Sequence, residues 1–174
     1  VAAGLELAAQ VRVGEVATPA RVYVANGTMA TAVGLALGLA LAGLNTEVHA
    51  VQVTADFVSS PQAMRHLLQK TATLLKRLDP AIPTDLADRA RCIFRTGYLG
   101  KGYARSTEAA DRAVTMAADQ LGLQLESTYT GKALAALIDD LPGIPGNALF
   151  WNTYNSRPLP EPSIDAAAKA RLPE

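Results

Sequence analysis

The sequence predicts an α/β protein, a three-layer αβα arrangement around a mainly parallel sheet, and three observations predict it. Strand-like and helix-like segments alternate from one end of the chain to the other, the pattern of a parallel sheet with helices on both faces. The 174 residues, with 49% hydrophobic content, are enough for one sizeable core and one domain. The stretch Leu125-Glu126-Ser127-Thr128-Tyr129-Thr130-Gly131-Lys132-Ala133 runs from a strand-like end into a helix start, with a tyrosine and a threonine at the junction. Such junctions are where α/β proteins present polar groups to ligands.

Residues 1–15 read as an amphipathic helix, and Arg21 to Ala25 as a short buried strand after the Pro19 break. Thr28 to Gly43 is helical and apolar nearly all round, which implies burial on more than one side and leaves room for a homodimer. Glu47 to Val53 alternates in part like a second strand. Pro61 opens a helix through about Leu78, and Pro80 and Pro83 punctuate the connection to a short helix near Asp85–Arg91. Cys92-Ile93-Phe94 starts a third strand, followed by a glycine loop (Gly97, Gly100, Gly102) leading to Tyr103. Ser106 or Thr107 can cap the helix from Ala109 to Leu121, with Glu108 favourable in its first turn. Leu123 to Ser127 reads as a fourth strand, Gly131 to Leu141 as a helix, and Ala148 to Trp151 as a fifth strand after the Pro142/Pro145 turn. Residues 1–157 form the expected domain, and the Pro- and Ala-rich residues 158–174 a peripheral tail.

Composition narrows the function classes. Sixteen basic and sixteen acidic side chains cancel, so there is no broad positive field and nucleic acid is not an expected partner. The single Cys92 cannot form an internal disulfide, and with His49 or His66 it makes no zinc-like spacing, so no metal is expected and a reducing cytoplasm fits. The uncharged run within Thr28–Glu47 is too short and glycine-rich for a membrane span. The start at Val1 lacks the features of a secretion signal and has no initiator methionine, which leads us to expect further residues upstream. His49 is expected as a packed, hydrogen-bonded residue, His66 as solvated, and Cys92 as a small buried apolar group.

One loop suits an anion. Ala25-Asn26-Gly27-Thr28-Met29-Ala30-Thr31 lies between a strand and a long helix, where backbone N–H groups and the helix dipole favour phosphate. Gly27 permits close approach, and the Thr28 and Thr31 hydroxyls can donate to phosphate oxygens. It matches neither common nucleotide-phosphate motif, and an ordinary helix N-terminus after a strand would look the same.

Taken with Gly102-Tyr103-Ala104-Arg105-Ser106-Thr107-Glu108-Ala109-Ala110 and Tyr129-Thr130-Gly131-Lys132-Ala133, this loop resembles one family. That family contains D-cysteine desulfhydrase and 1-aminocyclopropane-1-carboxylate deaminase, pyridoxal-phosphate enzymes of the tryptophan-synthase-β-like fold (fold type II). The resemblance covers most of residues 1–153, as the carboxyl-terminal part of such an enzyme. It implies pyridoxal 5'-phosphate as cofactor and a small amino acid as substrate, in a lyase or deaminase reaction. It makes Asn26, Gly27, Thr28, Met29, Ala30 and Thr31 the phosphate cup, and Tyr103 and Tyr129 the catalytic tyrosines facing the substrate. It puts Thr130 near the pyridine nitrogen, where a neutral hydroxyl points to the desulfhydrase-like branch, and Thr153 at the cofactor's border.

The sequence also departs from the family. Met29 and Ala30 stand where relatives often have glycine or a small polar residue, and Tyr154 and Asn155 replace two glycines after the threonine. None of Lys70, Lys76, Lys101, Lys132 and Lys169 has the context of the Schiff-base lysine, which the family supplies from its upstream region. The chain alone is therefore expected to be inactive, with the upstream part of the same enzyme as its partner. The alternative is a non-catalytic phosphate- or cofactor-binding module derived from that fold. On the plainer reading, Tyr103 and Tyr129 are loop-edge aromatics and Thr130 is a helix cap.

Overall fold

The computed structural model describes residues 1–155, so the expected tail at 158–174 lies outside the described residues. The elements are α1 (Ala2–Arg12), β1 (Pro19–Asn26), α2 (Ala30–Leu41), β2 (Glu47–Gln52), α3 (Pro61–Leu78), α4 (Leu86–Arg89), β3 (Cys92–Arg95), α5 (Glu108–Leu121), α6 (Thr130–Asp140) and β4 (Asn147–Phe150). A 3-10 turn at Leu141–Gly143 joins α6 to β4. The four strands form one sheet in the order β3-β2-β1-β4, and every pairing is parallel.

Residue alternation along β1 sorts the layers. Val22 and Val24, with Val48 and Ala50 of β2, face the core built with α2, α3 and α4. Tyr23 and Val51 face the other way and pack on Ala133 and Ala136 of α6, against which α5 lies. Helices therefore cover both faces, which explains why β1 reads as a continuous apolar run. The connection from β1 through α2 to β2 uses one face, and the path from β3 through α5 and α6 to β4 uses the other. The chain thus reverses its direction of travel across the sheet at β1, and a crevice opens at that strand's carboxyl end.

The burial of α2 is satisfied within the chain. Its inner side meets the sheet, and α1 crosses its outer side so closely that a Cβ on Gly38 would run into the Val1 carbonyl oxygen. One on Gly4 would sit 2.6 Å from the Leu35 carbonyl oxygen. The apolar circumference of this helix accordingly needs no second copy of the chain to cover it.

The expected strand at Leu123–Ser127 does not form. The segment leaves α5 through Gly122, whose φ of 63° is left-handed, and joins no strand before the turn at Ser127–Tyr129. Leu125 anchors it by packing against α5 and α6, and its polar groups turn inward to build the turn before α6 rather than a ladder. The Glu126 side chain takes up the N–H groups that follow it, so the segment ends in a turn rather than pairing along the sheet.

On the α6 face lies a network of charges that runs from the amino ends of β1 and β2 to Arg95 at the carboxyl end of β3. The Arg21 and Arg91 guanidiniums pair with Glu47, the former at 3.2 Å, and Arg95 pairs with Asp140 at 2.8 Å. The Tyr23 hydroxyl donates to Asp140 at 2.7 Å. His49, 3% exposed, meets Glu47 at 3.1 Å through Nε2, and its Nδ1 has no hydrogen-bond partner. Burial, aided by Arg21 and Arg95, holds the His49 imidazole below its usual value of 6.5 despite Glu47. The hydrogen bond to His49, together with Arg91 and Arg21, holds Glu47 below 4.5.

Both shifts have the same sign for stability. Below pH 6.5 the unfolded chain protonates its histidine before the folded one does, and below 4.5 it does the same at Glu47, so stability falls with pH through each window. The melting temperature is expected to drop as pH is lowered from 6.5 toward the carboxylate range, at up to ~1.4 kcal/mol per pH unit for one proton. His49→Gln should flatten that part of the profile, as followed by thermal melts across pH; an unchanged slope would count against the role of His49.

Candidate cofactor site

The cup begins where β1 ends. Asn26 is the strand's last residue, Gly27 and Thr28 turn the chain, and Met29 caps α2 in the left-handed region at φ 68°. For a residue with a side chain this conformation costs ~1–2 kcal/mol, a cost glycine would not bear. The Met29 side chain offsets part of it by packing on the main core. No side chain caps α2 and no acid lies in its first turn, so the leading N–H groups and the positive end of the dipole are left for an anion.

A pocket of about 270 Å³ opens on that helix end. All six residues from Asn26 to Thr31 line it, together with Ala25, Val53, Thr153 and Tyr129. The crevice at the reversal point of the sheet thus brings together the loop after β1, the end of β4 and the turn before α6. Asn26, 1% exposed, donates from Nδ2 to the Ser59 hydroxyl at 3.0 Å, while its Oδ1 is buried without a partner. A hydroxyl can donate or accept, so Ser59 can hold either end of the carboxamide and leave the other for a ligand. This orphaned atom, the uncapped helix and the Thr28 and Thr31 hydroxyls fit a phosphorylated cofactor that also carries ring polar groups.

The Tyr129 turn is organised by Glu126, which sequence reasoning did not single out. Its carboxylate accepts the backbone N–H groups of Thr128 at 2.7 Å, Tyr129 at 3.0 Å and Thr130 at 2.7 Å. It therefore performs the capping that α6 lacks from its own first residue. The Thr130 hydroxyl, on a residue 1% exposed, accepts the Glu126 N–H at 3.1 Å and donates back to Glu126. Thr130 thus does not line the pocket; its hydroxyl serves the turn that aims Tyr129. The signal for this was present in the sequence as an acid followed by four residues of turn and cap chemistry, Ser127-Thr128-Tyr129-Thr130. Gly131 is required by packing, because a Cβ there would stand 3.0 Å from the Glu126 carbonyl oxygen and 3.1 Å from that of Ala110.

Tyr103 arrives from the glycine loop and hydrogen-bonds through its hydroxyl to that of Tyr129, with ring centroids 6.0 Å apart. The Tyr129 phenol is pushed up to about 12, first by this bond and then by burial, so it remains a proton-bearing hydroxyl at neutral pH. Lys132 fastens the loop that carries Tyr103. It is fully buried and donates from Nζ to the Leu99 carbonyl oxygen at 2.9 Å. Burial draws its ammonium below the usual lysine value, against the pull of Glu126. Its place in the sequence, at a helix start, gave no sign of this burial.

Thr153 reaches the pocket, and Tyr154 and Asn155 do not line it. Tyr154 is 41% exposed, and its backbone N–H donates to the Asn152 side chain at 2.9 Å, which closes a local turn after β4.

No family model matches the chain. Among curated proteins it is 31% identical over 155 residues to nocardicin C-9' epimerase of Nocardia uniformis subsp. tsuyamanensis, covering 89% of this chain and 45% of that protein. It is 32% identical over 141 residues to D-cysteine desulfhydrase of Yersinia pestis, covering 81% of this chain and 40% of that one. Among solved structures, an ACC deaminase homologue superposes with a TM-score of 0.63 at 18% identity, over 84% of this chain and 43% of that one, a likeness of fold. The chain spans less than half the length of these curated relatives. These similarities support the pyridoxal-phosphate-dependent D-cysteine desulfhydrase and ACC deaminase family, of which the chain matches a partial piece, and its fold is the fold type II architecture.

Proposed function

We propose that this chain is the cofactor-cup portion of a pyridoxal-phosphate-dependent lyase or deaminase acting on a small amino acid. The observation that carries the reading is the shared pocket: the uncapped start of α2, the half-satisfied Asn26 and the Tyr129 turn meet in one crevice. When bound, the cofactor supplies an electron sink for a carbanion at the substrate. The N–H groups of residues 27 to 31 and the hydroxyls of Thr28 and Thr31 hold its phosphate. Asn26 and Thr153 border the rest of it. Tyr129 holds a proton at the hydroxyl beside the substrate, and Tyr103, hydrogen-bonded to it, shares that proton. Thr130 acts through Glu126 to fix the aim of Tyr129.

No lysine among the described residues lines the pocket. In this proposal the Schiff-base amine comes from the rest of the enzyme, which is also the chain's partner, and the chain by itself binds cofactor without turnover. The rival reading, a binding module that has lost the chemistry, shares the cup and differs only in having no such partner. A cytoplasmic setting belongs to the same proposal. It is supported by the single cysteine of the sequence, Cys92, which has no second cysteine to pair with. No helix among the described residues is long and apolar enough to cross a membrane.

Two outcomes are expected. Pyridoxamine phosphate, which needs no lysine, should bind the isolated chain in a fluorescence titration, and Thr28→Ala or Thr31→Ala should each weaken it roughly tenfold, the worth of a hydrogen bond to a charged group. Equal affinity for pyridoxamine with and without its phosphate would contradict the cup. Glu126→Gln replaces one accepting oxygen by a donor facing backbone N–H groups, and should cost about 1–3 kcal/mol in denaturant unfolding. A variant as stable as the parent would show that the Tyr129 turn does not depend on the carboxylate.

A further inference from the structure

Lys132 is, after Tyr23, the largest side chain wholly buried among the described residues, and it lies outside the cofactor pocket. Its Nζ donates to a backbone carbonyl, that of Leu99, rather than to a carboxylate. The ammonium and the neutral amine both carry N–H donors, so the bond survives whichever form burial favours. Burying so polar a group is costly, and an apolar chain of the same length would fill the space. The bond is therefore to be weighed by what it holds.

It holds a loop without regular structure. Residues 96–107, between β3 and α5, belong to no helix or strand, and Gly97, Gly100, Gly102 and Ala104 all stand at positive φ. Side-chain bonds fix this loop to α6 and to the turn before it. The Tyr98 hydroxyl donates to Asp139 at 3.1 Å, Lys132 donates to Leu99 at 2.9 Å, and the Tyr103 hydroxyl meets that of Tyr129. Distance along the helix ranks the two anchors. Asp139 lies near the far end of α6, about 15 Å along the axis from Tyr129, whereas Lys132 lies within one turn of it, about 4.5 Å. Lys132 also springs from the most rigid stretch of that helix, since Thr130 to Ala136 are all buried. Tyr103 is 55% exposed and has little packing of its own to hold its ring.

We propose that Lys132 is a positioning residue for the tyrosine pair: its grip on Leu99 sets the Tyr103 hydroxyl against that of Tyr129 and so keeps the shared proton at the site. The role of the pair toward a substrate rests on the cofactor reading above, whereas the linkage from Lys132 to Tyr129 stands without it. The bond to Tyr103 is the first cause of the raised Tyr129 phenol, so a loss at Lys132 is readable at Tyr129 through Tyr103.

The test is a pH titration of the Tyr129 ring, followed by its ¹³Cζ resonance in chain labelled at tyrosine, and it needs no cofactor. Lys132→Met keeps the length of the side chain and sheds the cost of burying an ammonium, so the variant is expected to fold. Lys132→Gln, too short for the same reach, carries the same reading if it does not. Tyr129 should titrate at about 12 in the parent and, in Lys132→Met as in Tyr103→Phe, fall by about one pH unit or more toward the ordinary phenol value. Adding Lys132→Met to Tyr103→Phe should move it no further, because both act through one bond. A lysine that only supports the fold would cost stability without touching the phenol. A folded Lys132→Met chain whose Tyr129 titrates with the parent, or a shift that persists undiminished in the Tyr103→Phe background, would therefore overturn the proposal while leaving the cofactor site intact. Failure of the parent to bind pyridoxamine phosphate would instead remove the cofactor reading, and with it the role of the pair at a substrate.

Discussion

Closing β1 on both edges and both faces is the constraint from which the site follows. Val22, Tyr23 and Val24 are wholly buried between β2 and β4 and between α2 and α6. A strand in that position has its backbone groups spent in two ladders and its side chains spent in two cores, so only its carboxyl end can meet a ligand. There the chain must turn sharply into α2, and it does so through a left-handed Met29, leaving the first N–H groups of a long helix with no partner of their own. An anion site here is the consequence of the packing on either side of it.

Two charged residues transmit that arrangement to the tyrosines. Glu126 gathers consecutive backbone N–H groups and so replaces a strand by a turn that points Tyr129 into the crevice. Lys132, two residues after Thr130, passes inward and grips the loop of Tyr103 by the Leu99 carbonyl. Burying an ammonium is costly unless it has a partner, and here a single carbonyl is its hydrogen-bond acceptor, with Glu126 adding a favourable field. The cost is consistent with a positioning role, since an apolar residue would fill the same space without holding the loop.

Much of the fold was legible because it is periodic. The helices from Pro61 and Glu108 begin at side-chain caps that the sequence displays, Ser60 accepting from Ala63 and Thr107 from Ala110, which settles the choice between Ser106 and Thr107. The run Arg21–Ala25 lies within β1, and the apolar circumference of the next helix marked its burial. Leu123–Ser127 misled because local alternation says nothing about where the segment's backbone groups find partners. For the site, the residues of the cup were legible as a loop between strand and helix, and the structure brings them to one pocket with Tyr129 and Thr153. The burial of Lys132 was not, since it depends on the distant Leu99 loop coming to lie beside it, and the carboxylate turn of Glu126, although local, was read as the end of a strand.

The central claim is that the start of α2 and the Tyr129 turn are two walls of one cofactor site. The most direct measurement is an amide chemical-shift titration of the isotopically labelled chain with pyridoxamine phosphate. The account predicts that resonances of Gly27 to Thr31 and of Tyr129 and Thr130 move together along one binding curve, with the Arg21, Glu47 and Asp140 end of the sheet unmoved. Shifts confined to one of the two walls, or concentrated at the amino ends of the strands, would contradict it.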